Sequence, residues 1–320
     1  MARAKASPEP GKMEMRESFC RTMLELGRKD KRIMILDDDC SYSMGTGPFR
    51  AELPDQYLNP GIMEAHMVCL AAGMSSEGFV PFVNAFGVFA ARRAFDQVFL
   101  SCGYAGLNVK IIGWDSGIGA VSNGGTHMPF EDMGLMRNVP GLIVAEPADA
   151  TAFAALARAA VAHDGNVYIR TMRRNVPDVY EEGSEFVFGR AELLREGNDV
   201  SIIACGFLVA EALFAADELA KKGIRARVVD MHTIKPLDED MVLDCARTTG
   251  CIVTAENHNH SGGLAAAVSQ CLAENLPTPV EWVAVENEYG EVGDLAYLKN
   301  RFRLNREHIV EKAELAIKRK

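Results

Sequence analysis

The chain has 320 residues and a formal net charge of -10 at pH 7, with 48% hydrophobic and 24% charged residues. This composition is typical of a soluble globular protein and argues against a fibrous or disordered one. The negative charge would repel a nucleic-acid backbone or an anionic membrane surface, so we expect neither as a partner. The length suffices for two α/β domains, each with its own hydrophobic core.

Cysteine usage and the first residues bear on the location of the protein. Eight cysteines are scattered along the chain without a CxxC pair, and most lie in apolar runs. This pattern indicates reduced core thiols and a cytoplasmic protein. Residues 1–12 contain Pro, Gly, Lys and Ala but no apolar segment, so we expect a flexible tail and no signal peptide. No apolar stretch has the length that a membrane span requires.

Short apolar runs alternate with helix-period segments in the first half of the chain. Five runs have the length and composition of buried parallel strands: 32–36, 80–83, 109–112, 142–145 and 167–170. Residues 61–78 follow Pro60, carry apolar side chains at helical spacing and stop at Gly78, as a helix would. We therefore expect one α/β domain over residues 13–175.

A second alternation follows a polar stretch, and we expect residues 176–195 to form the linker. Four more strand-like runs alternate with helical segments: 200–205, 226–230, 251–256 and 280–285. Right-handed crossovers between such strands predict a second domain over residues 196–320. The predicted fold class is therefore α/β, with two doubly wound domains.

Glu64 is the first candidate for chemistry. It lies in the segment GIMEAHM at 61–67 and opens an otherwise apolar helix. Desolvation there would suit a carboxylate to share a proton with a nitrogen base. The alternative is a first-turn glutamate that only stabilises the helix dipole. Spacing alone does not decide between the two roles.

Two phenylalanines offer a second candidate feature. Phe86 and Phe89 stand at helical spacing, with the basic pair Arg92 and Arg93 one turn on. Aromatic side chains so placed could stack on a flat heterocycle. Taken alone, such a pair is more often part of a core than of a cofactor site.

Two other motifs predict no site. His258 and His260 form an HxH at a strand end, but no further Cys or His stands at ligand spacing, so we predict no metal site. The glycine-rich segment 117–125 lacks the GxGxxG spacing of a dinucleotide-binding loop. Both segments are interpreted as structural.

Six segments occur in the order found in transketolases. They are GIMEAHM (61–67), NAFGVFAARRAFDQ (84–97), SNGGTHMPFED (122–132), MRRNVP (172–177), MHTIKPLD (231–238) and AENHNHSGGLAAAV (255–268). The chain therefore resembles the C-terminal half of a transketolase over nearly all residues after Met13. Similar segments occur in 1-deoxyxylulose-phosphate synthase and, more distantly, in the β subunits of 2-oxoacid dehydrogenases.

This resemblance implies a thiamine-diphosphate enzyme in which a pyrimidine-binding domain precedes a transketolase C-terminal domain. It implies that Glu64 protonates the aminopyrimidine ring of the cofactor. It also implies that Phe89 stacks on that ring with Phe86 beside it, and that Arg92 belongs to the cofactor site. Glu64 is thus both a catalytic and a cofactor-binding candidate.

The resemblance also implies substrate-binding residues. His127 matches a catalytic histidine at the reacting carbons of the donor sugar, and Arg173 matches an arginine that binds the substrate phosphate. Asn123 stands where transketolases carry an aspartate that recognises a hydroxyl, and Asp115 stands where they carry a phosphate-binding histidine. An aspartate would repel a phosphate dianion but could accept hydrogen bonds from a hydroxyl-rich or branched sugar. We therefore expect atypical sugar substrates.

The remainder of the cofactor site is expected from another chain. A GDG followed by an Asn pair, which in this superfamily holds the metal and the diphosphate, is absent from the sequence. The resemblance implies that an N-terminal transketolase subunit carries the diphosphate-binding domain and most of the Mg²⁺ ligands, in an α2β2 assembly. The expected function is transfer of a two-carbon ketol unit between sugars.

Three alternatives to this function stay open. Two share the cofactor and differ in chemistry: a 2-oxoacid dehydrogenase β-type subunit and a 1-deoxyxylulose-phosphate synthase-like subunit. The third is a non-catalytic regulatory subunit of the same fold. The presence of Glu64, Phe89 and His127 argues against this last alternative.

Overall fold

The computed structural model describes residues 2–320, which form two α/β units, each built around a mainly parallel sheet. The seven strands of the first sheet lie in the order Thr233–Lys235, Ile143–Ala145, Val167–Thr171, Lys110–Trp114, Val80–Phe86, Ile33–Asp37 and Tyr57–Leu58. Neighbouring strands run parallel, except that the first of these is antiparallel to the second. Their central members are buried on both faces, which explains why they are continuous apolar runs.

The second sheet has five strands. They lie in the order Val280–Val285, Ile252–Asn259, Val200–Ala204, Ala226–Asp230 and Glu192–Arg195. The first four run parallel, and the last is an antiparallel edge strand. The expected α/β class with two sheets is confirmed.

Helices cover both sheets. The α-helices are Met15–Lys29, Ser41–Met44, Gly47–Glu52, Glu64–Ser76, Phe95–Gln97, Asp132–Arg137, Ala150–Ala162, Leu208–Lys221, Glu239–Thr249, Leu264–Asn275, Leu295–Arg301 and Arg306–Lys318. Shorter turns are the 3-10 segments Pro54–Gln56, Gly117–Ala120 and Gly124–His127 and the π-helical segments Phe89–Arg93 and Val98–Tyr104. Within residues 2–320, no helix combines the length and the apolar character of a membrane span.

The candidate residues lie at one edge of the first sheet. Its parallel strands end at Asp37, Phe86, Trp114 and Thr171, and the residues that follow these ends include Asp38, Phe89, Asp115 and Arg173. Ligands of open α/β sheets bind at the carboxyl ends of the strands. The fold therefore brings together residues that are far apart in sequence.

The predicted tail and linker contain strands. We expected residues 1–12 to be flexible, but Ala4–Glu9 pairs with Asp178–Tyr180 as a separate two-stranded antiparallel sheet. The expected linker, residues 176–195, holds Asp178–Tyr180 and also Glu192–Arg195, the edge of the second sheet. Both pairings depend on neighbours distant in sequence, so local patterns did not predict them.

Arg170 joins the two units. Its side chain is fully buried, and Nε and Nη1 donate to Asp132 Oδ2 at 2.9 Å and Glu146 Oε2 at 2.8 Å. Its Nη2 donates to the backbone oxygens of Pro129 at 3.2 Å and of Asn257, in the second unit, at 3.0 Å. A buried charge requires such partners because desolvation is otherwise very costly.

Candidate active site

Glu64 is the first residue of the helix Glu64–Ser76, and only 1% of its surface is exposed. Arg93 donates from Nη1 to both of its carboxylate oxygens, at 2.7 Å each. The Arg93 side chain is about half exposed, and its guanidinium lies 4.2 Å from the centroid of the Phe89 ring. A buried carboxylate is therefore held beside an aromatic face by a half-exposed cation.

The two phenylalanines arrive from different elements. Phe86 ends the strand Val80–Phe86, whereas Phe89 begins the π-helical segment Phe89–Arg93. The expectation that the two phenylalanines lie on one helix is therefore wrong. The two rings nevertheless contact each other edge to face, with centroids 6.3 Å apart. They form an apolar wall next to Glu64.

His127 completes this wall. It ends the 3-10 turn Gly124–His127, and its ring lies 5.3 Å from Phe86 and 5.1 Å from Phe89, measured between centroids. Its Nδ1 is 2.9 Å from Thr126 Oγ1. Partial burial lowers the pKa of His127 below 6.5, with the opposing charge of Asp115 acting against the shift. This shift favours the neutral imidazole, which can accept one proton and donate another.

Asp115 and Arg173 form the second charged pair of the site. Arg173 Nε donates to Asp115 Oδ1 at 2.9 Å, and its Nη2 lies 2.7 Å from Oδ2. Burial raises the pKa of Asp115, although the hydrogen bond and charge of Arg173 oppose this. The guanidinium also lies 5.1 Å from the centroid of Phe86. The aromatic wall therefore separates two arginine–carboxylate pairs.

Two of the expected residues lie apart from these pairs. Asn123 is exposed, and its backbone N–H donates to Ala120 O at 2.8 Å. Arg92 is half exposed and forms an ion pair with Glu131, 2.9 Å from Nε to Oε1. Its neighbour Arg93, and not Arg92, contacts Glu64. The assignment of Arg92 to a cofactor site stays a prediction.

Asp38 was missed by the sequence analysis. It follows the strand Ile33–Asp37 directly, is 1% exposed, and its Oδ1 has no hydrogen-bond partner. Burial raises the pKa of Asp38 to about 7, and the charge of Glu64 contributes in the same direction. The signal was the run of three aspartates at a strand end, since a carboxylate there is placed at the sheet edge that binds ligands.

These residues can be tested against the thiamine diphosphate that the sequence resemblance implies. A planar, nitrogen-containing ring needs an apolar wall and a hydrogen-bonding partner at its edge. Phe86 and Phe89 supply the wall, while Glu64 and the unpartnered oxygen of Asp38 supply acceptors. No group of three or more His, Cys, Asp or Glu within residues 2–320 has the arrangement of a metal site. The chain thus fits the heterocyclic end of such a cofactor.

Comparison with protein families identifies both α/β units. The family model for the transketolase pyrimidine-binding domain matches residues 11–179, and the model for the transketolase C-terminal domain matches residues 189–309. Together they span both α/β units. The fold and the site therefore define a two-domain protein in which a pyrimidine-binding unit is followed by a C-terminal unit. The chain belongs to the transketolase family.

Several relatives are similar in length to this chain. It is 47% identical over 306 residues to the 6-deoxy-6-sulfo-D-fructose transketolase subunit SqwH of Clostridium sp. (strain MSTE9), covering 96% of this chain and 95% of the relative. It is 38% identical over 299 residues to one of the subunits of the apulose-4-phosphate transketolase of Phocaeicola vulgatus, covering 93% and 96%. A solved split-gene transketolase, described as an inactive β4 tetramer, matches with a TM-score of 0.88 and 38% identity over 96% of this chain and 99% of that one.

Proposed function

We propose that this chain is the pyrimidine-binding subunit of a thiamine-diphosphate-dependent transketolase that transfers a two-carbon ketol unit between sugars. The observation that carries the proposal is the grouping of Glu64, Phe89 and His127 at the carboxyl edge of the first sheet. When bound, the cofactor supplies the carbanion stabilisation that carbon–carbon bond cleavage requires. The residues of this chain bind and orient the reactants.

Each residue has a chemical task in this proposal. Glu64 shares a proton with a ring nitrogen of the cofactor, and its burial keeps water from competing for that hydrogen bond. Phe89 and Phe86 exclude water from the flat ring. His127, whose lowered pKa favours the neutral imidazole, accepts a proton from a sugar hydroxyl or returns one.

We propose that activity requires a separate N-terminal subunit. That subunit would hold Mg²⁺ and the diphosphate, and the relatives named as transketolase subunits support such an arrangement. An α2β2 assembly in the cytoplasm is the form we propose, and the eight free thiols are compatible with a reducing compartment. Calorimetry should detect no binding of thiamine diphosphate to the isolated chain at about micromolar affinity, because the strongest contacts are charge-assisted ones to the diphosphate.

The Asp115–Arg173 ion pair supports the proposal that the donor sugar is atypical. Because Asp115 already compensates the guanidinium, the pair offers little net positive charge to a phosphate, which carries about −1.5 to −2 charges at pH 7. A sulfonate carries only a single negative charge. We therefore propose 6-deoxy-6-sulfofructose as the donor, in line with what the 47% identical relative is named for.

The test is a substrate panel on the assembled complex. The chain is co-expressed with the product of the neighbouring gene and supplied with thiamine diphosphate and Mg²⁺. The donors are 6-deoxy-6-sulfofructose, apulose 4-phosphate and xylulose 5-phosphate, each with an aldose phosphate as acceptor. The highest kcat/KM is expected for the sulfonated ketose.

Other results would favour other functions. Decarboxylation of a 2-oxoacid without ketol transfer would indicate a dehydrogenase β-type subunit. Condensation of pyruvate with glyceraldehyde 3-phosphate would indicate a 1-deoxyxylulose-phosphate synthase-like subunit. A complex that binds the cofactor but turns over none of these substrates would favour a regulatory subunit.

A further inference from the structure

Asn257, in the second unit, contacts the first unit beside the candidate sugar site. It lies in the strand Ile252–Asn259 and is fully buried. Its Oδ1 accepts a hydrogen bond from Ile118 N at 3.0 Å, and its Nδ2 donates to Ser116 O at 2.8 Å. One side chain thus satisfies both backbone groups that flank Gly117, as a neighbouring strand would.

Gly117 makes this contact possible. Its φ is +50°, and a Cβ built there would overlap the side-chain and backbone oxygens of Asn257. Such an approach is available only to glycine. The segment is therefore packed against Asn257 without space for adjustment.

The same segment contains Asp115, which has an unusual backbone conformation. Its φ is +58°, in the left-handed region that non-glycine residues seldom adopt. Such strain persists only where the surroundings over-determine it. Here the following peptide is held from both sides, because Ser116 N donates to Thr171 O at 3.0 Å and Ser116 O accepts from Asn257.

A second contact restrains the far end of this segment. Gly293 N, in the second unit, donates to Val121 O at 3.2 Å. A Cβ on Gly124 would lie only 2.7 Å from Val292 Cγ2. The second unit therefore contacts the segment 116–124 at both ends. Asp115 directly precedes this segment in the sequence, and His127 follows it.

From these contacts we propose that Asn257 is a positioning residue for sugar binding: it fixes the peptide after Asp115, and through it the direction of the Asp115–Arg173 pair. This inference rests on the proposed function for the identity of the ligand. It gives the C-terminal unit a part in substrate recognition, although Asn257 lies far from Glu64 in the sequence. The side-chain hydrogen bonds of Asn257 go to the segment after Asp115 and not to Glu64 or Phe89, so we expect cofactor affinity to survive their loss.

Asn166 provides a matched control. It is also a buried asparagine that links two backbone groups, accepting from Val109 N at 3.0 Å and donating to Cys102 O at 3.0 Å. Both partners lie in the first unit. Asn166 and Val109 directly precede the strands Val167–Thr171 and Lys110–Trp114, at the ends of these strands opposite the site. Asn257→Ala and Asn166→Ala therefore remove equivalent hydrogen bonds, and only the former affects the sugar site.

The experiment measures both variants in the assembled complex. For Asn257→Ala we expect KM for the sugar to rise by about tenfold or more, with cofactor affinity unchanged, while Asn166→Ala changes KM by less than about threefold. Hydrogen exchange of the Ile118 amide should accelerate in the isolated Asn257→Ala chain and stay slow in Asn166→Ala. Equal KM values for the two variants, or unchanged exchange at Ile118, would overturn the proposal.

The exchange measurement separates this inference from the proposed function. If the wild-type complex acts on no sugar of the panel, the proposed function fails. Acceleration at Ile118 would then still support the backbone restraint by Asn257, because the exchange rate is measured in the isolated chain without a sugar. Unchanged exchange would reject the restraint whatever the substrate is.

Discussion

Arg93 donates from one nitrogen, Nη1, to both carboxylate oxygens of Glu64, at 2.7 Å each, and its guanidinium lies over the ring of Phe89. The cation therefore occupies the same side of Glu64 as the aromatic wall. A ring that stacks on Phe89 and bonds to Glu64 must share this carboxylate with Arg93 or displace it. Because Arg93 is about half exposed, displacement into solvent is inexpensive.

Glu64→Gln should separate the proton sharing of Glu64 with the cofactor from the effect of its side-chain shape. The amide keeps the size of the side chain and can still accept a hydrogen bond from Arg93, but it cannot exchange a proton with the cofactor. We expect kcat of the assembled complex to fall by at least ~10²-fold, the scale of general acid–base catalysis, with assembly retained. Glu77→Gln, at the exposed end of the same helix, is the control. Near wild-type turnover of Glu64→Gln would reject its catalytic role.

Neighbouring arginines allow a second comparison. Arg93→Met leaves the buried carboxylate of Glu64 without its cation, whereas Arg92→Met breaks the more exposed pair with Glu131. We expect Arg93→Met to destabilise the isolated chain by about 1 kcal/mol, since the half-exposed guanidinium is screened by water, and Arg92→Met by less than about 0.5 kcal/mol.

Denaturant unfolding of the isolated chain measures both values. A double-mutant cycle with Glu64→Gln should then show coupling to Arg93 and none to Arg92. Equal losses for the two arginine variants would mean that the Glu64–Arg93 pair contributes nothing of its own.

The buried strands could be predicted well from sequence because burial on both faces leaves an uninterrupted apolar run. The predicted run 109–112, for example, corresponds to the strand Lys110–Trp114, and the run 226–230 corresponds to Ala226–Asp230. Thr233–Lys235 could not be predicted in this way. It is a short edge strand that crosses from the second unit to pair with Ile143–Ala145, and only tertiary packing defines that partner.

The site was less accessible to sequence reasoning than the fold. Glu64, Phe89 and His127 were proposed from the resemblance to transketolases, and the structure groups them. The choice between Arg92 and Arg93 could not be made from helical phase, because Phe89–Arg93 is π-helical and turns each side chain by less than an α-helix does. Asn257 lies in one of the segments that resemble transketolases, but its role could not be predicted, since its contacts arise only when the two units pack together.

Asp38 should make stability depend on pH. Its pKa is raised from 3.8 to about 7 by burial, so the folded chain favours the protonated acid. A group with a raised folded pKa stabilises the fold fully below its unfolded pKa, and this contribution is lost as the pH rises through about 7. The slope per group is at most about 1.4 kcal/mol per pH unit.

Asp38→Asn removes this titration while keeping the shape of the side chain. Relative to wild type, the variant should gain stability steadily between pH 5 and pH 7 and level off near pH 8. The exposed neighbour Asp39 supplies the control Asp39→Asn, which removes the same charge from the same segment without touching a buried carboxylate. Thermal unfolding of the isolated chain across this pH range gives the answer, and a pH-independent difference for Asp38→Asn would contradict it.

Asp115→His tests how the second charged pair selects the sugar. The substitution removes the carboxylate that compensates Arg173, and histidine tolerates the left-handed backbone at this position better than most residues do. Arg173 then becomes available for a bidentate contact with a dianionic phosphate. We expect the ratio of kcat/KM for xylulose 5-phosphate to that for 6-deoxy-6-sulfofructose to rise by about tenfold, equivalent to ~1.4 kcal/mol.

Asp115→Asn distinguishes charge from the added imidazole. Asparagine also accepts the positive φ and keeps a hydrogen-bonding oxygen for Arg173, but it carries no charge. If compensation of Arg173 by Asp115 sets the preference, Asp115→Asn shifts the same ratio in the same direction by a smaller factor. The argument fails if the wild-type complex already prefers xylulose 5-phosphate with ribose 5-phosphate and neither substitution changes the ratio, because Arg173 would then be free to bind phosphate despite its partner.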